Sequence, residues 1–229
     1  MKKIFIWLGI FLLIVICVPL ITLIVFVRNS LKVTEGTPIA KYSTENPALL
    51  VIDIQEATTG KVSTYDYFKN NSDSLIEIVN RIIKNSDDNQ VMIIYIRNEI
   101  TNRIINLINN SYARGSEGAQ LDKRLIIVNK NIITKNKEDS FSNPKLDSLL
   151  TGNRINHLYM IGLDAAHCVN GTINGAINRE YKISAISDGV FSSTDSIKNQ
   201  MLTDYTGKGV ELLTMEEYFL RLENLEEEE

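Results

Sequence analysis

Cysteine is almost absent: the 229 residues carry two, Cys17 and Cys168. Cys17 lies inside an apolar run, so no disulfide framework can be built, and Cys168 needs another explanation. There is no stripe of Lys and Arg interleaved with aromatics, the basic residues are scattered among Glu, and the net charge is −4. That pattern excludes nucleic acid as a partner. Histidine is also scarce, with only His157 and His167. The acidic run Glu226 to Glu229 and the pairs Asn70-Asn71 and Asn109-Asn110 carry no usable motif and read as solvated surface.

What is present starts at the N-terminus. After Met1-Lys2-Lys3 the chain runs from Ile4 to Val27 without a charge and meets Arg28. A helix needs roughly 20 apolar residues to cross the hydrocarbon core, so residues 4–27 are expected to be a span in a lipid bilayer, with Pro19 as a local kink. A cleaved signal peptide would have a shorter apolar core and a small-residue cleavage site, and neither is seen. Lipidation of Cys17 is disfavoured by the bulky Ile14, Val15 and Ile16 before it. Lys2 and Lys3 on one flank face Arg28, Lys32 and Lys41 on the other, so charge does not orient the span. The expected organisation is an anchor over 1–28, a polar stalk with Pro38 over 29–46, and one ordinary-sized domain over 47–229.

Within that domain, Ala48 to Ile54 (ALLVIDI) is a short apolar run of the kind buried on both faces of a parallel sheet. Similar runs recur at 91–96, 125–128, 157–161, 182–186 and 210–213. Between them lie helical patterns, clearest at 72–85, where Leu75, Ile76, Val79, Ile82 and Ile83 share a face; 168–179 and 214–222 look similar. Six strands alternating with helices predict an α/β fold, a doubly wound, Rossmann-like, mostly parallel sheet covered on both faces. The crevice of such a sheet lies where strand order reverses, which in the commonest order falls between strands one and four. Strand one brings Asp53 there, and strand four leads through Gly162 to a helix beginning near Cys168.

A thiol is a nucleophile as the thiolate, favoured by a helix N-terminus or a nearby cation. A carboxylate beside it can take the proton and return it to a leaving amine. Taken alone, these residues have blander readings: free cysteines are commonly inert small hydrophobes, and aspartates at strand ends commonly cap turns.

Three segments in order narrow the choice. ALLVIDIQ (48–55), Lys135-Asn136-Lys137-Glu138-Asp139-Ser140-Phe141, and GLDAAHCVNGTINGAINREYKISAISDGVFS (162–192) resemble the isochorismatase-like cysteine hydrolases, and Ala113 to Asp122 resembles the family's stretch before strand three. The likeness runs from Pro47 to Leu222. It implies a catalytic triad of Asp53, Lys135 and Cys168, with no cofactor and a small amide or carbamoyl substrate. Lys137 competes with Lys135 for the lysine role on residue type alone, and the motif spacing favours Lys135. The resemblance also implies a non-proline cis peptide before Asp164, with the backbone N–H groups of Asp164 and Cys168 forming an oxyanion hole. Gln55, Phe141 and His167 are the candidate substrate contacts, His157 is expected to be structural, and a homo-oligomer is common among relatives.

The sequence also departs from the family. Ala165-Ala166-His167 stands where relatives often carry Thr and an acidic residue, Glu56-Ala57-Thr58 follows Gln55, and Asp139-Ser140 replaces Ser-Ala. Nicotinamidases of the family bind a metal through Asp-x-His; here that place reads Arg97-Asn98-Glu99, so no catalytic metal is expected. Other readings are a silent binding module on the same fold, a vinyl-ether hydrolase, which would not need Cys168, and a redox-sensing thiol.

Overall fold

The computed structural model describes residues 2–227; Met1 and the last two residues of the acidic run, Glu228 and Glu229, lie outside the described residues. Helix α1 (Lys2–Ser30) holds the N-terminal run, with Pro19 inside it. Its most apolar window has a mean hydropathy of 3.3 and none of it is buried. The helix is therefore long and apolar enough to cross a membrane. Near its end a half-buried stripe of Thr22, Phe26 and Ser30, at i, i+4 spacing, turns toward the rest of the protein.

Six strands follow: β1 (Pro47–Ile52), β2 (Met92–Asn98), β3 (Ile132–Lys135), β4 (His157–Gly162), β5 (Lys182–Val190) and β6 (Glu211–Leu213). All pair in parallel, in the order β3-β2-β1-β4-β5-β6. This is the doubly wound α/β arrangement, and its order reverses between β1 and β4. Because both faces are covered, the central strands are apolar without alternation: every residue of β4 is buried.

Leu50, Ile52, Ile94, Leu158 and Met160 pack on one side against α4 (Pro144–Gly152), α5 (Asn170–Ile177) and α6 (Asp195–Gly207). Leu49, Val51, Ile93, Tyr95 and Ile161 pack on the other against α2 (Asp66–Asp88) and α7 (Met215–Glu227). On α2 the inward face is Leu75, Ile76, Val79, Ile82 and Ile83. The short α3 (Arg103–Ile108) is capped by Asn102, whose side chain accepts from the N–H of Ile104 and Ile105, and it packs against α1.

Two expectations need correction. Residues 125–128 do not form strand three: Ile126 and Ile127 stand 42% and 43% exposed. The hydroxyl of Tyr95 holds this segment as a loop, donating to Ile126 O (3.0 Å) and accepting from Val128 N (3.2 Å). The ladder position beside β2 goes to Ile132–Lys135 instead.

Nor is the piece after α1 a free spacer. The Thr34 N–H and hydroxyl both donate to Asp139 Oδ2 (2.8 and 2.5 Å). The Arg179 guanidinium reaches the carbonyls of Thr34 and Glu35, Ile39 N donates to Arg179 O (2.9 Å), and Ile39 packs on the core. The segment is a strap laid over the domain, because buried arginine and aspartate groups supply its backbone with partners.

Candidate active site

Each arm of the site is set by the end of a strand. Beyond β1 the chain turns at Asp53, whose φ is +53°. This left-handed conformation is one that Asp tolerates better than most residues. Asp53 N donates to Ile96 O (3.0 Å), and the Thr58 hydroxyl donates to Asp53 O (3.0 Å). Those bonds hold the carboxylate inward, 4% exposed. β3 ends at Lys135, paired with Asn98 of β2 and buried. All three protons of its ammonium are placed: on Asp53 Oδ2 (2.7 Å), Cys168 Sγ (3.1 Å) and the Lys137 carbonyl (3.0 Å). Lys137 thus contributes a backbone acceptor to this centre.

β4 ends at Gly162, with φ +123°; a Cβ there would stand 2.1 Å from Ile52 O, so only glycine lets β4 lie this close to β1. The Leu163–Asp164 peptide is cis. The Asp164 carboxylate accepts from Ala166 N (2.7 Å) and the Ser192 hydroxyl (2.8 Å). A π-helical turn, Ala165–Val169, then carries Cys168 ahead of α5. The sequence places Cys168 in the first turn of the helix; the structure places it on this wider turn, closed by Val169 N on Asp164 O (3.1 Å). Such turns recur at functional sites.

The charges around the sulfur pull in opposite directions. Burial pushes the Cys168 thiol up, and the Asp53 charge pushes it further against the pull of Lys135. Burial opposes the charge on Lys135, but the Asp53 carboxylate beside it prevails and holds the ammonium above its ordinary value. Asp53 and Lys135 therefore form a buried ion pair with the thiol docked on it.

A cavity of about 470 Å³ opens over this group, and Asp53, Asn98, Asp164, His167 and Cys168 lie in its wall. That is the ordinary size of a small-molecule site. Oδ1 of Asp53 and Oδ1 of Asn98 are buried without a hydrogen-bond partner, and both residues line the cavity. Two orphaned acceptors in one wall fit a ligand that brings N–H donors.

The three candidate substrate contacts separate. His167 lines the cavity, and its bond to Glu138 (3.1 Å), outweighing partial burial, raises its pKa. Gln55 does not reach the cavity: it is fully buried, and its amide is spent on both backbone groups of Asn98 and on Ala119 O. Phe141 is also core, 3% exposed, stacked on Tyr181 and covered by the Arg179 guanidinium 4.3 Å from its centroid.

Sequence reasoning passed over Asn98, weighed only as a missing metal ligand, and Tyr112, whose hydroxyl burial pushes up. Nothing in the sequence marks Tyr112. The cavity also takes in Phe26 and Ser30 of α1, which the sequence assigns to the anchor and to the stalk.

The site, on a switch point between β1 and β4, is that of a doubly wound α/β protein with a buried Asp-Lys-Cys cluster. The isochorismatase domain family model matches residues 47–217, and the chain belongs to that family. Among solved structures it is similar to a cysteine hydrolase from Pseudomonas syringae pv. phaseolicola, with 21% identity and TM-score 0.69 over 83% of this chain and 99% of that one. The N-carbamoylsarcosine amidase of Thermoplasma acidophilum shares 22% identity, TM-score 0.62, over 74% of this chain and 96% of its own. The pyrazinamidase of Pyrococcus horikoshii in complex with zinc shares 19%, TM-score 0.61, over 74% and 99%. At these identities the likeness is one of fold. No curated protein sequence matches.

Proposed function

We propose that the protein is a membrane-anchored cysteine hydrolase of small amide or carbamoyl groups, with residues 1–28 as anchor and residues 47–229 as the hydrolase domain. The observation that carries this is the ammonium of Lys135, held between Asp53 Oδ2 and Cys168 Sγ at 2.7 and 3.1 Å in the wall of a cavity. Structural neighbours named as amidases support the reaction class.

In the proposed cycle, the unpaired Oδ1 of Asp53 takes the Sγ proton as sulfur attacks the carbonyl carbon. Lys135 keeps its charge throughout and stabilises the developing thiolate. The oxyanion is received by the backbone N–H groups of Asp164 and Cys168, in one cavity wall; losing one such donor typically costs about 100-fold or more. The C–N bond breaks, Asp53 returns its proton to the departing nitrogen, and a thioester remains on Cys168. Water then attacks, giving up a proton to Asp53 and releasing the acid as Cys168 recovers its proton. The sum is amide plus water giving acid plus amine.

No metal enters this reading. Glu99 is spent on Arg97 (3.1 Å) and Arg114 (3.5 Å), Asn98 is uncharged, and among the described residues no three His, Cys, Asp or Glu side chains cluster as a metal site would require.

The test is ammonia release from a panel of carboxamides by the full chain in detergent, with Cys168→Ala as control. Iodoacetamide labelling adds an independent sign. Asp53 raises the thiol, so Asp53→Asn should speed alkylation of Cys168 at neutral pH, while Lys135→Ala should slow it. Labelling indifferent to both substitutions, with no turnover, would sink the proposal.

A further inference from the structure

We infer that the substrate is amphiphilic: a carboxamide on a long hydrocarbon chain, which reaches Cys168 from the bilayer along a groove between α1 and the domain. This rests on the anchored-amidase reading and names the substrate class of that site.

The cavity has two kinds of wall. Its polar groups, Asp53, Asn98 and Asp164, gather about Cys168, while Phe26, Phe68, Ile100, Ile105 and Leu163 make much of the remainder apolar. A second hollow, of about 580 Å³, shares Phe26, Ser30, Ile100, Asn136 and Lys137 with it and continues along α1 to Val25, Thr22 and Ile21. The apolar run ends at Val27, so Ile21 lies six residues inside it, roughly 9 Å deep at 1.5 Å per residue. One end of the groove is thus at hydrocarbon depth and the other at the nucleophile. Lys137 stands where the two hollows meet, the level at which an ammonium meets lipid headgroups.

Two further observations hold this arrangement together. The last turn of α1 is tied to the loop after Lys135 by Glu138 N donating to Ser30 O (3.0 Å). Beside α1, the short α3 leaves Leu107 87% and Ile108 64% exposed, large side chains that an interfacial position would cover. A substrate dissolved in water has no use for an anchor helix as one wall of its site; a substrate resident in the membrane does.

The experiment uses the full chain in phosphatidylcholine vesicles and straight-chain primary amides from butanamide to hexadecanamide, with ammonia release measured. Each buried methylene is worth about threefold to fourfold in binding. On that basis kcat/KM should climb by at least about 100-fold from butanamide to decanamide. Ile21→Trp and Val25→Trp, which fill the groove, should each lower the ratio of long-chain to short-chain kcat/KM by about tenfold or more. A ratio that both substitutions leave unchanged marks simple partitioning into lipid and overturns the groove. Turnover that depends on Cys168 but is flat or falling with chain length overturns the amphiphile and leaves the amidase standing. Turnover of no amide at any length overturns both.

Discussion

The two ends of the sheet each hold a buried polar cluster, and the clusters differ in one respect. At the leading end, His157 is fully buried and spends both ring nitrogens, on Glu45 (2.7 Å) and Ser184 (2.8 Å). The Ser184 hydroxyl donates to Glu211 (2.7 Å), which Arg221 holds through two bonds (2.5 and 2.6 Å). At the trailing end, Lys135 is equally committed, yet Asp53 keeps one oxygen with no partner, and that residue faces a cavity. Buried polar atoms are ordinarily satisfied; the Tyr159 hydroxyl beside His157 is also without a partner, so what sets the trailing end apart is an open carboxylate oxygen on a residue that lines a cavity.

The largest effect that tests this contrast is on turnover. Cys168→Ala should lower kcat by at least about 10,000-fold, as loss of a nucleophile does in other hydrolases, while moving Tm only a few degrees. Ammonia release and thermal unfolding by circular dichroism in detergent read the two quantities; activity that survives the substitution breaks the functional half of the contrast.

Next in size is Lys135→Met, which strands the Asp53 charge in the interior. Breaking a buried pair this way costs about 3–5 kcal/mol, or roughly 10 °C or more in Tm for a chain of this size. Adding Asp53→Asn should recover much of that loss; no recovery would mean the pair is not held as an ion pair.

A smaller cost is expected at the leading end. His157→Phe takes one partner each from Glu45 and Ser184, which keep Lys182 and Glu211, and should cost about 1–3 kcal/mol. In the protein that still folds, kcat/KM should be unchanged. A parallel fall in activity would join the two ends and erase the distinction.

The smallest effect is in pH. Burial lowers the pKa of His157 below its ordinary 6.5, outweighing the opposing pull of Glu45, so the fold holds the neutral ring. Its contribution is whole above 6.5 and is lost as pH falls below it. Glu211 is lowered to about 2, first by its bond to Arg221. Its contribution is whole above the ordinary 4.5 and fades toward 2. A Tm profile in acid should therefore fall in two stages, the first missing in His157→Phe and the second in Glu211→Gln.

The central strands and the inward face of α2 are legible in sequence because burial leaves an apolar signature, whereas the strand order is taken from the commonest arrangement of such sheets. Val91 to Ile96 and His157 to Ile161 could hardly be anything but central strands. Strand three was misplaced because apolarity alone cannot tell Leu125-Ile126-Ile127-Val128 from Ile132-Ile133. The deciding contact, the Tyr95 hydroxyl, comes from a residue 31 positions away from Ile126. α6 left no pattern because Tyr205 is its one buried residue.

At the site, Asp53, Lys135 and Cys168 were found through motifs, and the structure brings all three together. Gln55 and Phe141 carried the same motif signal but serve the scaffold, a distinction visible only once their partners are. The π-helical turn under Cys168 left no mark in the sequence, which shows only that a helix follows.

The strap after α1 bears on the order in which the protein is assembled. Thr34 leaves the ribosome early, but Asp139 is 105 residues behind it and Asn178, which also binds its carbonyl, is 144 behind. At 5–20 residues per second, that is a wait of roughly 7 to 30 s. During this interval the segment after α1 has none of these partners to hold. The full set of partners for the strap exists only once Asn178 and Arg179 have been made, so the complete strap is seated on a chain that already carries its nucleophile.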